Sequence, residues 1–278
     1  PGLMPPPGVQ PLEPHAATIQ PAMIATVVIS LALSIPAIVI RIFTKYWILR
    51  RVQVEDYAIL IALLGYLALT ALIVIIYSYS GGRHQWNVTI ANVMNLARYV
   101  YWSQITYPIP MFFAKLALLL QIKRIFASAD RNFFWWSSWG LVVANALVYL
   151  VTLIVFGLAC RPREKFWNPA LPGKCLDTGK ALLATSAVNL VSDVTILVLP
   201  IVGVWNLNLD LKKKIGVALI FATGLGTIIA SIFRLYVCIK SRTSKDLTWW
   251  ASIGVLAAMA EFCTLLLCCC APTFPRFI

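Results

Sequence analysis

Apolar residues fall into seven long runs along the chain, and each run is bounded by charged residues, Gly or Pro. The runs cover residues 21–42, 56–79, 91–122, 134–158, 181–205, 215–239 and 248–271. A helix needs about 20 mostly apolar residues to cross a hydrocarbon core roughly 30 Å thick, and every run reaches that length. The pattern predicts an all-α fold, a polytopic bundle of seven transmembrane helices.

The first nineteen residues differ from the rest because they are rich in Pro and only weakly apolar. Such a segment cannot supply a packed core. We therefore predict a disordered amino-terminal tail over residues 1–19 and one seven-helix domain over residues 20–278. The tail has neither the basic start nor the apolar centre of a signal peptide. Since the chain begins without Met and stops soon after the last run, we expect a fragment of a longer protein.

Composition agrees with a membrane protein, because 60% of the 278 residues are apolar and 12% are charged. A soluble domain is about 45–50% apolar and about 25% charged. The net charge of +13 would suggest a nucleic-acid partner in a soluble protein. Here all but four of the 23 basic residues lie outside the apolar runs. We therefore expect the lipid bilayer as the surroundings and no nucleic acid.

Lys and Arg beside the runs predict the orientation, since cytoplasmic loops are enriched in both. The tail before the first run has neither, and the loop after that run contains Lys45, Arg50 and Arg51. We predict that the amino terminus lies outside and the carboxyl terminus in the cytoplasm, in the plasma membrane or an endomembrane. Over the whole chain the bias nearly vanishes, with ten basic residues inside and nine outside.

Two cysteines, Cys160 and Cys175, flank a polar stretch in the loop between the fourth and fifth runs. On the predicted outer side, in an oxidising compartment, such a pair forms a disulfide. The alternative is two free thiols on an inner loop. On the same outer side, Asn87 begins an Asn-Val-Thr sequon for glycosylation.

Ionisable residues within the apolar runs are costly in lipid and commonly mark functional sites. Arg41 ends the first run, and we expect its side chain to extend to the membrane surface. Lys115 lies about two turns from the inner end of the third run and could reach the membrane interface in the same way. The residues that matter most are Arg98, Lys115, Asp193, Arg234 and Glu261.

Helical spacing and expected depth in the membrane place these ionisable residues on the inward faces of neighbouring helices. Helical rise puts Asp193 and Glu261 near the middle of the membrane and Arg98 and Arg234 one to two turns below the outer surface. We therefore predict an outward-opening cavity among the third, fifth, sixth and seventh helices, which binds a small polar or anionic ligand. The predicted ligand-binding residues are Asn95, Arg98, Tyr99, Lys115, Asn189, Asp193, Arg234 and Glu261.

A closed structural network is the alternative to this cavity. In it, Arg234 pairs with Glu261 and Lys115 pairs with Asp193. Hydrogen bonds between helices explain the Ser and Thr residues that recur near these charges, but they explain two arginines poorly.

No cofactor or metal is expected from the residues present. Retinal proteins hold their chromophore on a lysine of the last helix, whereas the last lysine here is Lys245, before the seventh run. Motifs for phosphate binding, zinc binding or a nucleophile elbow do not occur, and histidine is limited to His15 and His84.

Short motifs recur in a specific order from the first run to the end of the chain. They are Glu55-Asp56-Tyr57, Gly82-Arg83-His84, Arg124-Ile125-Phe126, Cys160-Arg161-Pro162, Trp167, Gly173-Lys174-Cys175, Asn189, Asp193, Pro200, Arg234, Asp246, Glu261 and Pro272. Together they resemble the fungal rhodopsin-domain family of integral membrane proteins, over about residues 21–278. The chain departs from the family pattern at Ser80, where Gly is usual, and at Ala117 and Ile122, where Ser and Tyr are common.

The resemblance implies a receptor-like protein with a small-molecule ligand, and a G protein as partner by analogy only. Other members lie in secondary-metabolite gene clusters. The alternative function is therefore an intramembrane enzyme of the cyclase or isomerase type, in which Asp193 or Glu261 is the catalytic acid.

Overall fold

The computed structural model of the chain describes residues 2–5, 12, 17–80, 82–126, 133–205 and 211–274. Within these ranges the chain forms eight α-helices joined by short connections. They are α1 (Gln20–Phe43), α2 (Val54–Ser80), α3 (Ile90–Thr106), α4 (Pro108–Phe126), α5 (Phe133–Gly157), α6 (Thr178–Trp205), α7 (Leu211–Thr243) and α8 (Leu247–Cys270).

The helices provide seven segments that are long and apolar enough to cross a membrane. Helices α3 and α4 follow one another directly and together form the third segment, Ile90–Phe126. The other six segments lie in α1, α2, α5, α6, α7 and α8. The predicted fold class is thus confirmed, and the side of the membrane on which each terminus lies stays a prediction.

The third span is broken at Tyr107 because Pro108 has no backbone N–H to continue the helix. After the break, α4 packs closely against α2. A Cβ atom on Gly65 of α2 would lie 2.5 Å from the Cβ atom of Pro110, so only glycine permits this approach. This close contact holds the start of α4 against α2.

Two short strands form a hairpin at one end of the bundle. Strand β1 (Cys160–Arg161) pairs antiparallel with β2 (Lys174–Cys175), and the disulfide between Cys160 and Cys175 joins them. This confirms the predicted disulfide. The segment between the strands packs on α3, where the ring of Tyr101 lies 5.0 Å from that of Phe166. We call this end of the bundle the disulfide end.

The described residues of the amino-terminal tail lie along the connection between α2 and α3. The Gly2 N–H donates to the Val88 carbonyl at 2.8 Å, and the Ile19 N–H donates to the Gly82 carbonyl at 3.2 Å. Residues 1, 6–11 and 13–16 of the predicted tail lie outside the described residues, so its disorder stays a prediction.

At the end opposite the hairpin, Arg41 is fully buried with 0% of its surface exposed. The expectation that it extends to the membrane surface is therefore wrong. Its Nε and Nη2 atoms donate to Asp56 Oδ1 at 3.1 and 2.9 Å. Its Nη1 atom donates to Gln121 Oε1 at 2.6 Å and to the Cys269 carbonyl. One side chain thus links α1 to α2, α4 and α8.

A second buried acid, Glu55, lies beside this arginine. Its Oε1 atom accepts from Lys45 Nζ at 3.3 Å and from Arg124 Nη1. Lys45 also lies 3.8 Å from Asp56 Oδ2. The two acids that begin α2 therefore neutralise bases from α1, the turn after it and α4. We call this group the Arg41 cluster; it comprises Arg41, Lys45, Glu55, Asp56, Gln121 and Arg124.

Replacing Asp56 by Asn should destabilise the protein strongly, because it leaves the buried Arg41 guanidinium without its counter-charge. Removal of one partner from a buried ion pair costs about 3–5 kcal/mol. We expect a clear fall in the thermal unfolding midpoint of the purified protein in detergent. The control is Glu164→Gln, at an exposed carboxylate in the hairpin, which should leave the midpoint unchanged. Equal midpoints for the two variants would contradict a structural role for the cluster.

The double variant Cys160→Ser, Cys175→Ser should also unfold at a lower temperature. The disulfide joins residues 15 apart in sequence, and a closed loop of that length contributes about 3 kcal/mol in the chain-entropy account. Reductant should lower the midpoint of the wild type to that of the double variant and leave the double variant unaffected. A reduced wild type, verified by thiol titration, with an unchanged midpoint would be inconsistent with this role.

Candidate functional site

A cavity of about 740 Å³ extends into the bundle from the disulfide end. Small-molecule sites have volumes of about 300–1,000 Å³, so the cavity is large enough for a ligand. Residues from α2, α3, α5, α6, α7 and α8 line it, together with the hairpin. Most of its wall is apolar, including Leu69, Ile73, Leu96, Val100, Phe156, Val255 and Met259.

The floor of the cavity is polar and contains Arg234 of α7. Its Nη1 atom donates to Glu261 Oε2 at 3.0 Å and to the hydroxyl of Tyr107. The guanidinium carbon lies 4.3 Å from the centre of the Tyr107 ring. Tyr107, Tyr149 and Asn189 line the floor beside it. The arginine predicted from the sequence is therefore in the cavity wall and already paired.

Glu261 lies directly behind this floor and is 0% exposed. In addition to the contact with Arg234, it accepts hydrogen bonds from the Asn189 amide and, at 3.4 Å, from the Tyr107 hydroxyl. The carboxylate is therefore held by α3–α4, α6 and α7 at once and does not itself line the cavity.

A second ion pair lies deeper in the bundle, between Lys115 of α4 and Asp193 of α6. Lys115 Nζ is 2.8 Å from Asp193 Oδ1 and donates to Asn189 Oδ1 at 2.9 Å and Ser192 Oγ at 3.0 Å. With 0% exposure, Lys115 does not extend to the interface, and that expectation is wrong. The other Asp193 oxygen accepts from Ser231 Oγ at 2.6 Å.

Asn189 joins the two ion pairs. Its amide nitrogen donates to Asp193 Oδ2 at 3.3 Å and to Glu261. Its amide oxygen accepts from Lys115 and, at 2.7 Å, from the Tyr149 hydroxyl. The side chain thus uses both of its donors and both acceptor positions. We call the connected group the Asn189 network; it comprises Tyr107, Lys115, Tyr149, Asn189, Ser192, Asp193, Ser231, Arg234 and Glu261.

The cavity and the closed network of ion pairs, which were alternatives from the sequence alone, therefore occur together. Arg234 pairs with Glu261 and Lys115 pairs with Asp193, and the same groups form the floor of a cavity. Of the predicted ligand-binding residues in this region, Asn189 and Arg234 line the cavity, whereas Lys115 and the two acids lie behind it.

The remaining predicted ligand-binding residues lie elsewhere, on the outer part of α3. Arg98 is exposed, and its guanidinium carbon is 5.9 Å from the centre of the Trp167 ring. The ring of Tyr99 stacks on Tyr79 at 5.6 Å. Asn95 is partly exposed, one helical turn before Tyr99. None of the three predicted residues Asn95, Arg98 and Tyr99 is in the cavity wall.

These three residues lie outside the cavity because α3 extends past the ends of its neighbours. The Tyr101 hydroxyl donates to the carbonyl of Gly157, the last residue of α5. Tyr79, the partner of Tyr99, lies one residue before the end of α2. The third span has 37 residues, more than a bilayer requires. Arg98 therefore lies near the level at which α2 and α5 end, and its depth below the membrane surface stays a prediction.

Several residues at the mouth of the cavity could not be recognised from the sequence, among them Lys165, Asp177 and Arg242. The Lys180 backbone N–H donates to Asp177 Oδ1 at 3.0 Å and lowers the pKa of that carboxyl group below its usual value. The Lys180 ammonium at 3.3 Å and Arg242 at 4.0 Å act in the same direction. The mouth is thus charged, unlike the apolar wall below it.

Two predictions from the sequence stay predictions. Asn87 lies in a short 3₁₀ turn, Gln85–Asn87, and is 9% exposed; its glycosylation is untested. Among the described residues, no three His, Cys, Asp or Glu side chains are grouped to hold a metal ion. The expected lack of a metal and of a cofactor is not tested by that observation.

Comparison with known proteins identifies relatives of three kinds. A SAT4 family membrane protein of Emericella nidulans is 34% identical over 203 residues, which are 72% of this chain and 50% of that protein. Fugralins biosynthesis cluster protein 2 of Gibberella zeae is 28% identical over 70% of this chain and 50% of its own length. Receptor GIN3 of Arthrobotrys oligospora is 25% identical over 83% of this chain and 55% of its own length.

The chain spans about half the length of the curated relatives it matches. No solved structure is significantly similar to it. The model of the Fungal rhodopsin domain matches residues 40–278, which include six of the seven spans in full and only the last part of the first span. The chain therefore belongs to the fungal rhodopsin domain family of multi-pass membrane proteins.

Proposed function

We propose that the protein is a receptor-like membrane protein that binds a small molecule in the cavity and detects it through Arg234. One curated relative is named as a receptor, which supports this class of function. In the proposal the cavity opens to the outer side of the membrane, as the Lys and Arg distribution around the first span predicts.

The observation that carries the proposal is the position of the Arg234 guanidinium. Both of its hydrogen bonds use Nη1, 11% of the side chain is exposed, and the residue lines the cavity. Its Nε and Nη2 donors are therefore available to a ligand. An arginine that is paired on one side and open on the other can respond to a ligand without becoming unpaired.

The Asn189 network supports a route from the ligand to the helices. A ligand acceptor on Arg234 would compete with Glu261 and Tyr107 for the guanidinium. Because Asn189 bonds to both Glu261 and Asp193, a shift of Glu261 alters the contacts that hold α4, α6 and α7 together. Ligand binding would then favour one arrangement of these helices over another. The partner that responds on the cytoplasmic side, a G protein by analogy only, belongs to the proposal.

The α3–α4 break supports the same mechanism. Tyr107 stands at the break, next to Pro108, and its hydroxyl contacts both Arg234 and Glu261. Breaks at proline permit changes of helix direction at small cost. A ligand that displaces Tyr107 would therefore act at the point where the third span bends most easily.

An intramembrane enzyme is the second candidate, and a relative named after a biosynthesis cluster favours it. The acids Asp193 and Glu261, which the sequence suggested as catalytic, lie behind the cavity floor. The Tyr107 hydroxyl is in the floor between Arg234 and Glu261. In an enzyme, Tyr107 would be the group that transfers a proton to the substrate, and Glu261 would position it.

A native thiol permits a test of the cavity and of its orientation. Cys238 is a free cysteine in the cavity wall, 3.5 Å from Ser186 Oγ, whereas the other four free cysteines are not in that wall. A membrane-impermeant methanethiosulfonate reagent added to intact cells should label about one thiol per chain, because water reaches the cavity from outside. Cys238→Ser should remove the labelling. Labelling only after the cytoplasmic side is exposed would contradict the outward opening.

Ligand occupancy should protect this thiol. We expect an amphiphile with a ten-carbon chain, tested as 2-decanone, decanamide and decanoate, to slow Cys238 labelling of the purified protein in nanodiscs, because a ligand in the cavity blocks access to the wall. The control is Cys238→Ser, Leu158→Cys, which places the thiol on an exposed residue beyond the end of α5. Its labelling should not change. Mass spectrometry of the same samples separates the candidates, since a receptor returns the probe unaltered and an enzyme forms a product.

A further inference from the structure

The chemistry of the cavity restricts the ligand further than its size does. The mouth lies at the start of α6, at Thr178, and the floor lies near the middle of the same helix, at Asn189, which is eleven residues further along; both residues line the cavity. At 1.5 Å per residue, the cavity is roughly 17 Å deep. Between these ends the wall is apolar, so a fitting ligand has an apolar body and a polar head at the floor.

The charges at the floor already balance. Lys115 and Arg234 carry two positive charges, and Asp193 and Glu261 carry two negative charges, in two ion pairs. Each of the four groups is at most 9% exposed. An anionic head would give this buried group a net negative charge, and an uncompensated charge away from water is costly. The floor therefore disfavours a ligand carboxylate.

The donors of the Asn189 network are also committed to partners in the protein, apart from those of Arg234. The Tyr149 hydroxyl donates to Asn189, and the Tyr107 hydroxyl donates to Glu261. Both hydrogens of the Asn189 amide are used by the two acids. Within the Asn189 network only Nε and Nη2 of Arg234 remain, so a ligand that bonds to the network must bring a hydrogen-bond acceptor to this residue.

From this balance we infer that the ligand carries an uncharged acceptor at its head, such as the carbonyl oxygen of an amide, ester or ketone, on an apolar chain. The inference rests on the proposed ligand site. A carboxylate matches the arginine fork in shape, but it would have to share the one guanidinium with Glu261. A neutral carbonyl oxygen accepts from Nε and Nη2 and leaves the Arg234–Glu261 pair intact.

The test compares decanamide with decanoate as protectors of Cys238 from labelling. In the wild type, decanamide should protect at a concentration about ten-fold lower than decanoate does, because only the anion unbalances the floor. Glu261→Gln removes one negative charge and leaves Arg234 unpaired. In that variant decanoate should improve about ten-fold, so that the preference for decanamide disappears, because the ligand carboxylate now replaces the missing counter-charge.

Asp193→Asn is the matched control. It makes the same change in net charge, but it unpairs Lys115 behind the floor and not Arg234 in it. Decanoate should gain less in this variant than in Glu261→Gln. Glu261→Gln is left out of the test if size-exclusion chromatography shows that it does not fold. The ratio of the decanoate and decanamide concentrations that protect Cys238, measured in the wild type and in Asp193→Asn, then decides between a neutral and an anionic head.

Two results would overturn the inference, and they differ in what they say about the site. Wild-type protection by decanoate at or below the concentration needed for decanamide would show an anion-binding floor, and the proposed ligand site would stand. Protection by neither probe, in the wild type and in all variants, would remove the proposed ligand site together with this inference.

Discussion

A charge inside a helix bundle that spans a membrane must meet an opposite charge, because neither lipid nor apolar side chains can replace water around it. This constraint determines how the helices fit together. Lipid is as apolar as most of the helix surfaces, so hydrophobic burial does little to choose one register over another. The Arg41 cluster at one end and the Asn189 network in the middle determine which register the helices adopt. Each joins at least three helices through contacts that a shift of one turn would break.

The same constraint links structure to function. Arg234 and Glu261 stabilise the contact between α7 and α8, and Arg234 also lines the cavity floor. A ligand in the proposed site would therefore meet a group whose removal would also weaken the fold. The role of such a residue is difficult to establish from loss of function alone, since an inactive variant has lost either the ligand contact or the fold. Variants that change charge while keeping shape, with a control of equal charge elsewhere in the network, separate the two.

The seven spans and the disulfide could be predicted because each depends on local sequence, on run length in one case and on a loop cysteine pair in the other. The ion pairs Arg234–Glu261 and Lys115–Asp193 could be named only as one alternative, since helix faces show which residues point inward and not which ones meet. The position of Arg98 outside the cavity could not be predicted, because a span of 37 residues has no unique position in the bilayer. The burial of Arg41 depends on Gln121 and Cys269, which lie 80 and 228 residues away.

Those separations have a consequence for synthesis in the cell. Arg41 is made with the first span, and Asp56 follows 15 residues later, so a counter-charge arrives early. The carbonyl of Cys269 arrives only when the ribosome has completed α8. Until then Nη1 of the guanidinium has only the acceptor of Gln121, which arrives with α4. The hydrogen bonds of Arg41, a residue of the first span, are therefore completed only when the last described α-helix has been made.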